Sequence, residues 1–131
     1  MPENFYGGLD FGTSGVRISI IDLHKELVYS NSVHYLDSFK NPNSWINSCE
    51  KILDNIPVEV KSNLNKLAIS GTSGTLIASN LKGEPMGEAI PYDQACNEHE
   101  IPLKKLTSGQ DHLRTPYSSL AKELHLIDCL L

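Results

Sequence analysis

The chain has 131 residues, 40% hydrophobic and 21% charged, a profile that supports one soluble globular domain with a real core. Its net charge of −5 argues against nucleic acid as the main partner, which would call for clustered Lys and Arg. No apolar run reaches the length of a membrane span, and Met1-Pro2-Glu3-Asn4 lacks the basic start and apolar core of a secretory signal.

In chain order, Phe5 to Leu9 reads as a first strand and Val16 to Ile21 as a second, with Val16, Ile18 and Ile20 on one face. Between them lies Gly12-Thr13-Ser14-Gly15. Asp22-Leu23-His24-Lys25 is a polar turn, and Glu26 to Tyr35 offers a third strand that completes a meander. Asn43 or Ser44 is placed to cap a helix. Trp45, Cys49, Ile52, Leu53 and Ile56 then recur at spacings of three and four, giving one apolar stripe. Pro57 opens a shorter helix to Leu64. Lys66 to Ser70 is a fourth strand; being reached through helices, it is expected parallel to its neighbour. A second turn, Gly71-Thr72-Ser73-Gly74, leads into Thr75 to Ser79. Asn80-Leu81-Lys82-Gly83 is a tight turn, and Pro85 to Tyr92 is extended. Residues 95–115 are weakly periodic, with one helical turn marked by Ile101, Leu103 and Leu106. Leu120, Ala121, Leu124, Ile127 and Leu131 mark a final helix starting at Ser118 or Ser119.

The chemistry concentrates at the first turn. Gly12 and Gly15 are expected to supply φ > 0, so that Thr13 and Ser14 aim N–H groups and hydroxyls at one point. Such a donor cluster binds phosphate. Asp10 stands beside it, and a carboxylate next to a phosphate cradle makes sense when a divalent cation bridges them; Mg²⁺ suits an all-oxygen site. The plainer reading is ordinary hairpin chemistry. The second Gly-Thr-Ser-Gly turn, again between apolar runs, favours the phosphate reading. Arg17 belongs either to that cradle or to a surface pair with Asp22 or Asp37. The histidines His24, His34, His99, His112 and His125 read as surface or structural, and Cys49, Cys96 and Cys129 as reduced thiols of a cytoplasmic protein without metal-ligand spacing.

Strand–Asp–x–Gly–Thr–Ser–x–x–Arg–strand resembles the first phosphate motif of the actin-like ATPases and sugar kinases. The block Leu67-Ala68-Ile69-Ser70-Gly71-Thr72-Ser73-Gly74-Thr75-Leu76 is followed by Gly83-Glu84-Pro85, Ile90-Pro91-Tyr92-Asp93-Gln94 and Ser118-Ser119-Leu120-Ala121-Lys122. Together these resemble the N-terminal part of FGGY-family carbohydrate kinases, in the subgroup similar to xylulose and ribulose kinases. The resemblance implies a ribonuclease-H-like α/β lobe, a mixed five-stranded sheet with helices on its faces. It implies that Asp10 holds Mg²⁺, that Gly12, Thr13 and Ser14 lie along the ATP phosphates, and that Arg17 shapes that region. It implies that Thr72, Ser73 and Gly74 face sugar hydroxyls and that Asp93 and Gln94 line the sugar pocket. The reaction implied is transfer of the ATP γ-phosphoryl group to a ketose hydroxyl. The family's base, an Asp of a later strand-loop, and its Gly-rich adenosine segment match nothing in these 131 residues, so the catalytic residue is unassigned. The chain is therefore expected to be an incomplete first lobe without the second lobe. It is expected to be a poor kinase by itself, and to associate with those missing parts if they exist. The alternative is a truncated remnant or binding module that keeps the anion cradle. An actin- or chaperone-like ATPase shares only the first motif.

Overall fold

The computed structural model describes residues 4–130. Met1 to Glu3, part of the start read as lacking a signal, and Leu131, the last member of the predicted helical stripe, lie outside them. The chain forms two compact units, Met1–Thr72 and Ser73–Leu131.

The first unit is a four-stranded mixed sheet in the order β3-β2-β1-β4. Its strands are β1 (Phe5–Phe11), β2 (Gly15–Ile21), β3 (Leu27–His34) and β4 (Leu64–Gly71). The five strands implied by the family resemblance are four among the described residues. The meander forms as read: β2 pairs antiparallel with both β1 and β3. β4 runs parallel to β1, as expected of a strand reached through helices. Alternation on β2 is complete, with Val16, Ile18 and Ile20 at most 1% exposed. They join Phe5, Leu9, Val33, Ile52 and Ile56 in one core. Each such side chain contributes about 1.5–3 kcal/mol by leaving water.

Helix α1 (Pro42–Asp54) covers β2 and β3. It starts earlier than expected. Asn41 is the cap, its side chain accepting from the Asn43 N–H, and Pro42 takes the first helical position, where no N–H is missed. Its innermost row is Ser44, Ser48 and Ile52, spaced by four; the predicted stripe through Trp45 and Cys49 lies alongside. The small serines let the helix approach closely, while Trp45 turns aside to donate to the Phe39 carbonyl at 2.9 Å. The short α2 (Val58–Ser62) begins after Pro57.

The second unit has its own core of Ile90, Cys96, Leu103 and Ala121. Residues 75–79 form no strand. Single antiparallel bridges join Leu76 to Ile90 and Ser79 to Pro85. The turn between them closes with Gly83 at φ 80°, where glycine avoids the strain another residue would carry. Helix α3 (Glu100–Leu106) and helix α4 (Ser119–Leu130) complete the unit.

Candidate functional site

Parallel pairing fixes the geometry of the first unit's site. Asp10 stands opposite Ser70 and Phe11 opposite Gly71, so β1 and β4 finish at the same end of the sheet. The Gly12–Gly15 turn and the start of the Gly71–Gly74 turn therefore leave from one edge. On the other side of β1, Asp10 pairs in register with Arg17 of β2. Arg17 Nη1 lies 3.3 Å from Asp10 Oδ2, and both side chains are about half exposed. The alternative partners of Arg17 are corrected. Asp22 accepts from the His24 and Glu26 N–H groups, and Asp37 from Asn41 and the Ser38 N–H. An exposed pair such as Asp10–Arg17 contributes little by itself, so both groups are available to an incoming cation and anion.

The turn closes through a 2.9 Å bond from the Gly12 N–H to the Gly15 carbonyl. The expectation of left-handed backbone here is corrected, since neither Gly12 nor Gly15 has a positive φ. Gly15 is required for space: a Cβ there would lie 2.2 Å from the Val33 carbonyl oxygen. Thr13 and Ser14 are exposed, and among the described residues no protein acceptor takes their backbone N–H groups. Tyr35 props the turn from behind. Its N–H donates to the Ser14 carbonyl at 3.1 Å and its hydroxyl to the Gly12 carbonyl at 3.0 Å. Burial, and then the Asp10 charge, push the Tyr35 phenol up, so it stays a neutral donor. Tyr35 was readable only as a strand end. Its role follows from the meander register, where Gly15 opposite His34 brings Tyr35 beside the first turn.

These residues fit a magnesium–phosphate group in kind. Asp10 offers an oxygen ligand, the hydroxyls and free N–H groups of Thr13 and Ser14 offer donors, and Arg17 adds a cation.

In the second unit, Gly74 takes φ 74°, so this turn does use glycine for a left-handed position. Pro91-Tyr92-Asp93-Gln94 folds as a turn, closed by the Gln94 N–H donating to Pro91 at 3.1 Å. Both segments are held by one residue that had been given no role, Lys122 of α4. Its side chain is fully buried, and its Nζ donates to the Gly74 carbonyl at 2.7 Å and the Tyr92 carbonyl at 3.0 Å. Desolvation lowers its pKa, while Cys96 and Asp93 pull the other way. Ser73, Gly74 and Asp93 thus belong to one tied cluster of this unit. A lysine in a final amphipathic helix gives no signal of this in sequence, because its acceptors are 48 and 30 residues away.

The first unit's mixed four-stranded sheet with helices, carrying Asp10 at the end of β1 beside the Gly12–Gly15 turn, has the actin-like ATPase fold. Within that class, the fold is shared with FGGY-type carbohydrate kinases. The chain is similar to a xyloylose (xylulose) kinase from Brucella ovis, with TM-score 0.74 and 20% identity over 91% of this chain and 28% of that one. It is similar to Plasmodium falciparum glycerol kinase with ADP, with TM-score 0.70 and 16% identity over 96% of this chain and 29% of that one. A gluconate kinase from Lactobacillus acidophilus matches with TM-score 0.68 and 17% identity over 92% of this chain and 27% of that one. At these identities the likeness is one of fold, and the chain spans little more than a quarter of the kinases it matches. No protein-family model matches the chain. Among the described residues, no helix is long and apolar enough to cross a membrane.

Proposed function

We propose that this chain supplies the phosphate- and sugar-binding part of an ATP-dependent carbohydrate kinase acting on a pentulose such as ribulose or xylulose. The observation that carries the reading is the parallel pairing of β1 with β4, which brings Asp10, Arg17 and the start of the second turn to one end of the sheet. In such a transfer the γ-phosphorus gains a bond to a sugar hydroxyl oxygen, loses its bond to the bridging oxygen of ADP, and a base takes the hydroxyl proton. The protein's share is positioning and neutralisation of charge. Asp10 holds Mg²⁺; Gly12, Thr13 and Ser14 lie along the ATP phosphates, with Thr13 and Ser14 donating to them; Arg17 offsets their charge. Thr72, Ser73 and Gly74 meet sugar hydroxyls, with Asp93 and Gln94 at the pocket wall. The base belongs to a part of the kinase that these residues do not include, and association with that part completes the cleft. A cytoplasmic setting goes with this reading, and the three cysteines are free thiols.

Calorimetric titration of the 131-residue chain tests it. ATP with Mg²⁺ is expected to bind, and Asp10→Ala to abolish the Mg²⁺-dependent part of the binding while leaving the fold intact by circular dichroism. Equal Mg²⁺-dependent binding by the two proteins removes Asp10 from its role.

A further inference from the structure

Away from the candidate site, the second unit gathers metal-ligating side chains from two stretches of sequence. Cys96 and Glu98 lie just before α3, and His125 lies on α4, 27 residues beyond Glu98. One ligand atom from each of Cys96, Glu98 and His125 lies within 4.8 Å of the others. Cys96 is 1% exposed, and its backbone N–H is fixed on the Pro116 carbonyl at 2.9 Å. Glu98 Oε1 is 3.4 Å from His125 Nδ1. The other ring nitrogen, Nε2, is 3.7 Å from the sulfur of Cys129, one helical turn further along α4. A second contact ties the same stretches together, with His99 Nε2 3.3 Å from Asp128 Oδ2.

We propose that Cys96 Sγ, a Glu98 carboxylate oxygen and His125 Nδ1 form a binding site for a zinc-class divalent cation, with water in the fourth position. The donor set decides the class. A thiolate with an imidazole suits zinc, whereas Mg²⁺ takes oxygen ligands. Bond lengths of about 2.0–2.3 Å put tetrahedral ligand atoms about 3.5 Å apart. Closing from 4.8 Å asks each side chain to move by well under a rotamer change. The cation takes the place of the Cys96 thiol proton, which passes to solvent. With Nδ1 on the metal, His125 keeps its proton on Nε2 and points it at Cys129 Sγ. That outer contact sets the ring's tautomer and orientation, as second partners of ligating histidines do. The bound ion clamps α4, which carries Lys122, to the stretch that follows Asp93 and Gln94. The site does not depend on the kinase reading, because no residue of the phosphate turn takes part.

Cobalt(II) titrated into the reduced, chelator-treated chain tests the assignment. The expected result is a thiolate-to-cobalt charge-transfer absorption that saturates at one equivalent and disappears on adding Zn²⁺. Cys96→Ser removes the band. His125→Gln and Glu98→Gln, at partly exposed side chains, weaken Co²⁺ binding by more than the about 10- to 100-fold typical of losing an outer partner. Cys49→Ser leaves binding unchanged. Absence of the band in the parent chain overturns the proposal. So does parent-like affinity in a His125→Gln variant whose circular dichroism is native, or a band that depends on Cys49.

Discussion

Lys122→Met keeps the length and apolar stem of the side chain and deletes only the ammonium. Two charge-assisted hydrogen bonds are lost, to the Gly74 and Tyr92 carbonyls at 2.7 and 3.0 Å. Bonds to charged groups contribute about 1.5–3 kcal/mol each, so the gross loss is about 3–6 kcal/mol. Two effects reduce it. Methionine no longer has to be desolvated as a cation, which returns part of the loss. Gly74 is only partly buried and Tyr92 is exposed, so water can reach the released carbonyls. The net cost is therefore about 2–3 kcal/mol, felt where the two segments meet. The Leu76 and Ile90 amides report on it, because each donates to the other's carbonyl beside the tie, at 3.0 and 2.8 Å. Hydrogen exchange at both is expected to accelerate by about 30- to 150-fold, at 1.4 kcal/mol per factor of ten. The Ile18 and Ile20 amides of the first unit should keep their protection. Acceleration of less than about fivefold at Leu76 and Ile90 refutes the view that Lys122 holds these segments together.

Gly15→Ala should destabilise the first unit by about 2 kcal/mol or more, since the new Cβ meets the Val33 backbone at 2.2 Å. Gly8→Ala on the neighbouring strand, with nothing within 4 Å of its Cβ, should be close to neutral; urea unfolding of the pair gives the comparison. The Asn41 side chain, then the Ser38 N–H, hold the Asp37 carboxyl below its ordinary value of 3.8. The folded state thus binds fewer protons there than the unfolded state. The stability Asp37 contributes is present above 3.8 and lost as pH falls through the lower folded value. Asp37→Asn should flatten that acid-side loss in thermal unfolding; an unchanged slope below 3.8 contradicts the link from Asp37 to the Asn41 helix cap.

The sheet was legible because β2 alternates cleanly and its buried face is all β-branched. The parallel fourth strand was legible from its position after two helices, even though β4 is a largely exposed edge strand, with Ile69 70% exposed. Asp10, Arg17 and both Gly-Thr-Ser-Gly turns could be found because their chemistry is local in sequence. What stayed hidden depends on distant partners. The reason for Gly15 is a close approach by β3, and the value of Tyr35 is a contact 23 residues away. Lys122 was given no role of its own because its two acceptors sit in other segments. Cys96, Glu98 and His125 escaped a search for metal spacing because only the return of α4 brings them together. The helix stripe was read one position off its buried centre, since serines at 44 and 48 carry no hydrophobic signal yet pack innermost.

The most direct test of the central claim is a ¹⁵N–¹H correlation titration of the 131-residue chain, first with ATP and Mg²⁺ and then with ribulose or xylulose. The account predicts that nucleotide shifts the amides of Asp10, Gly12, Thr13, Ser14, Gly15 and Arg17, and that sugar shifts those of Thr72, Ser73, Gly74, Asp93 and Gln94. Saturable shifts that bypass both groups, or no shifts with either ligand, contradict it.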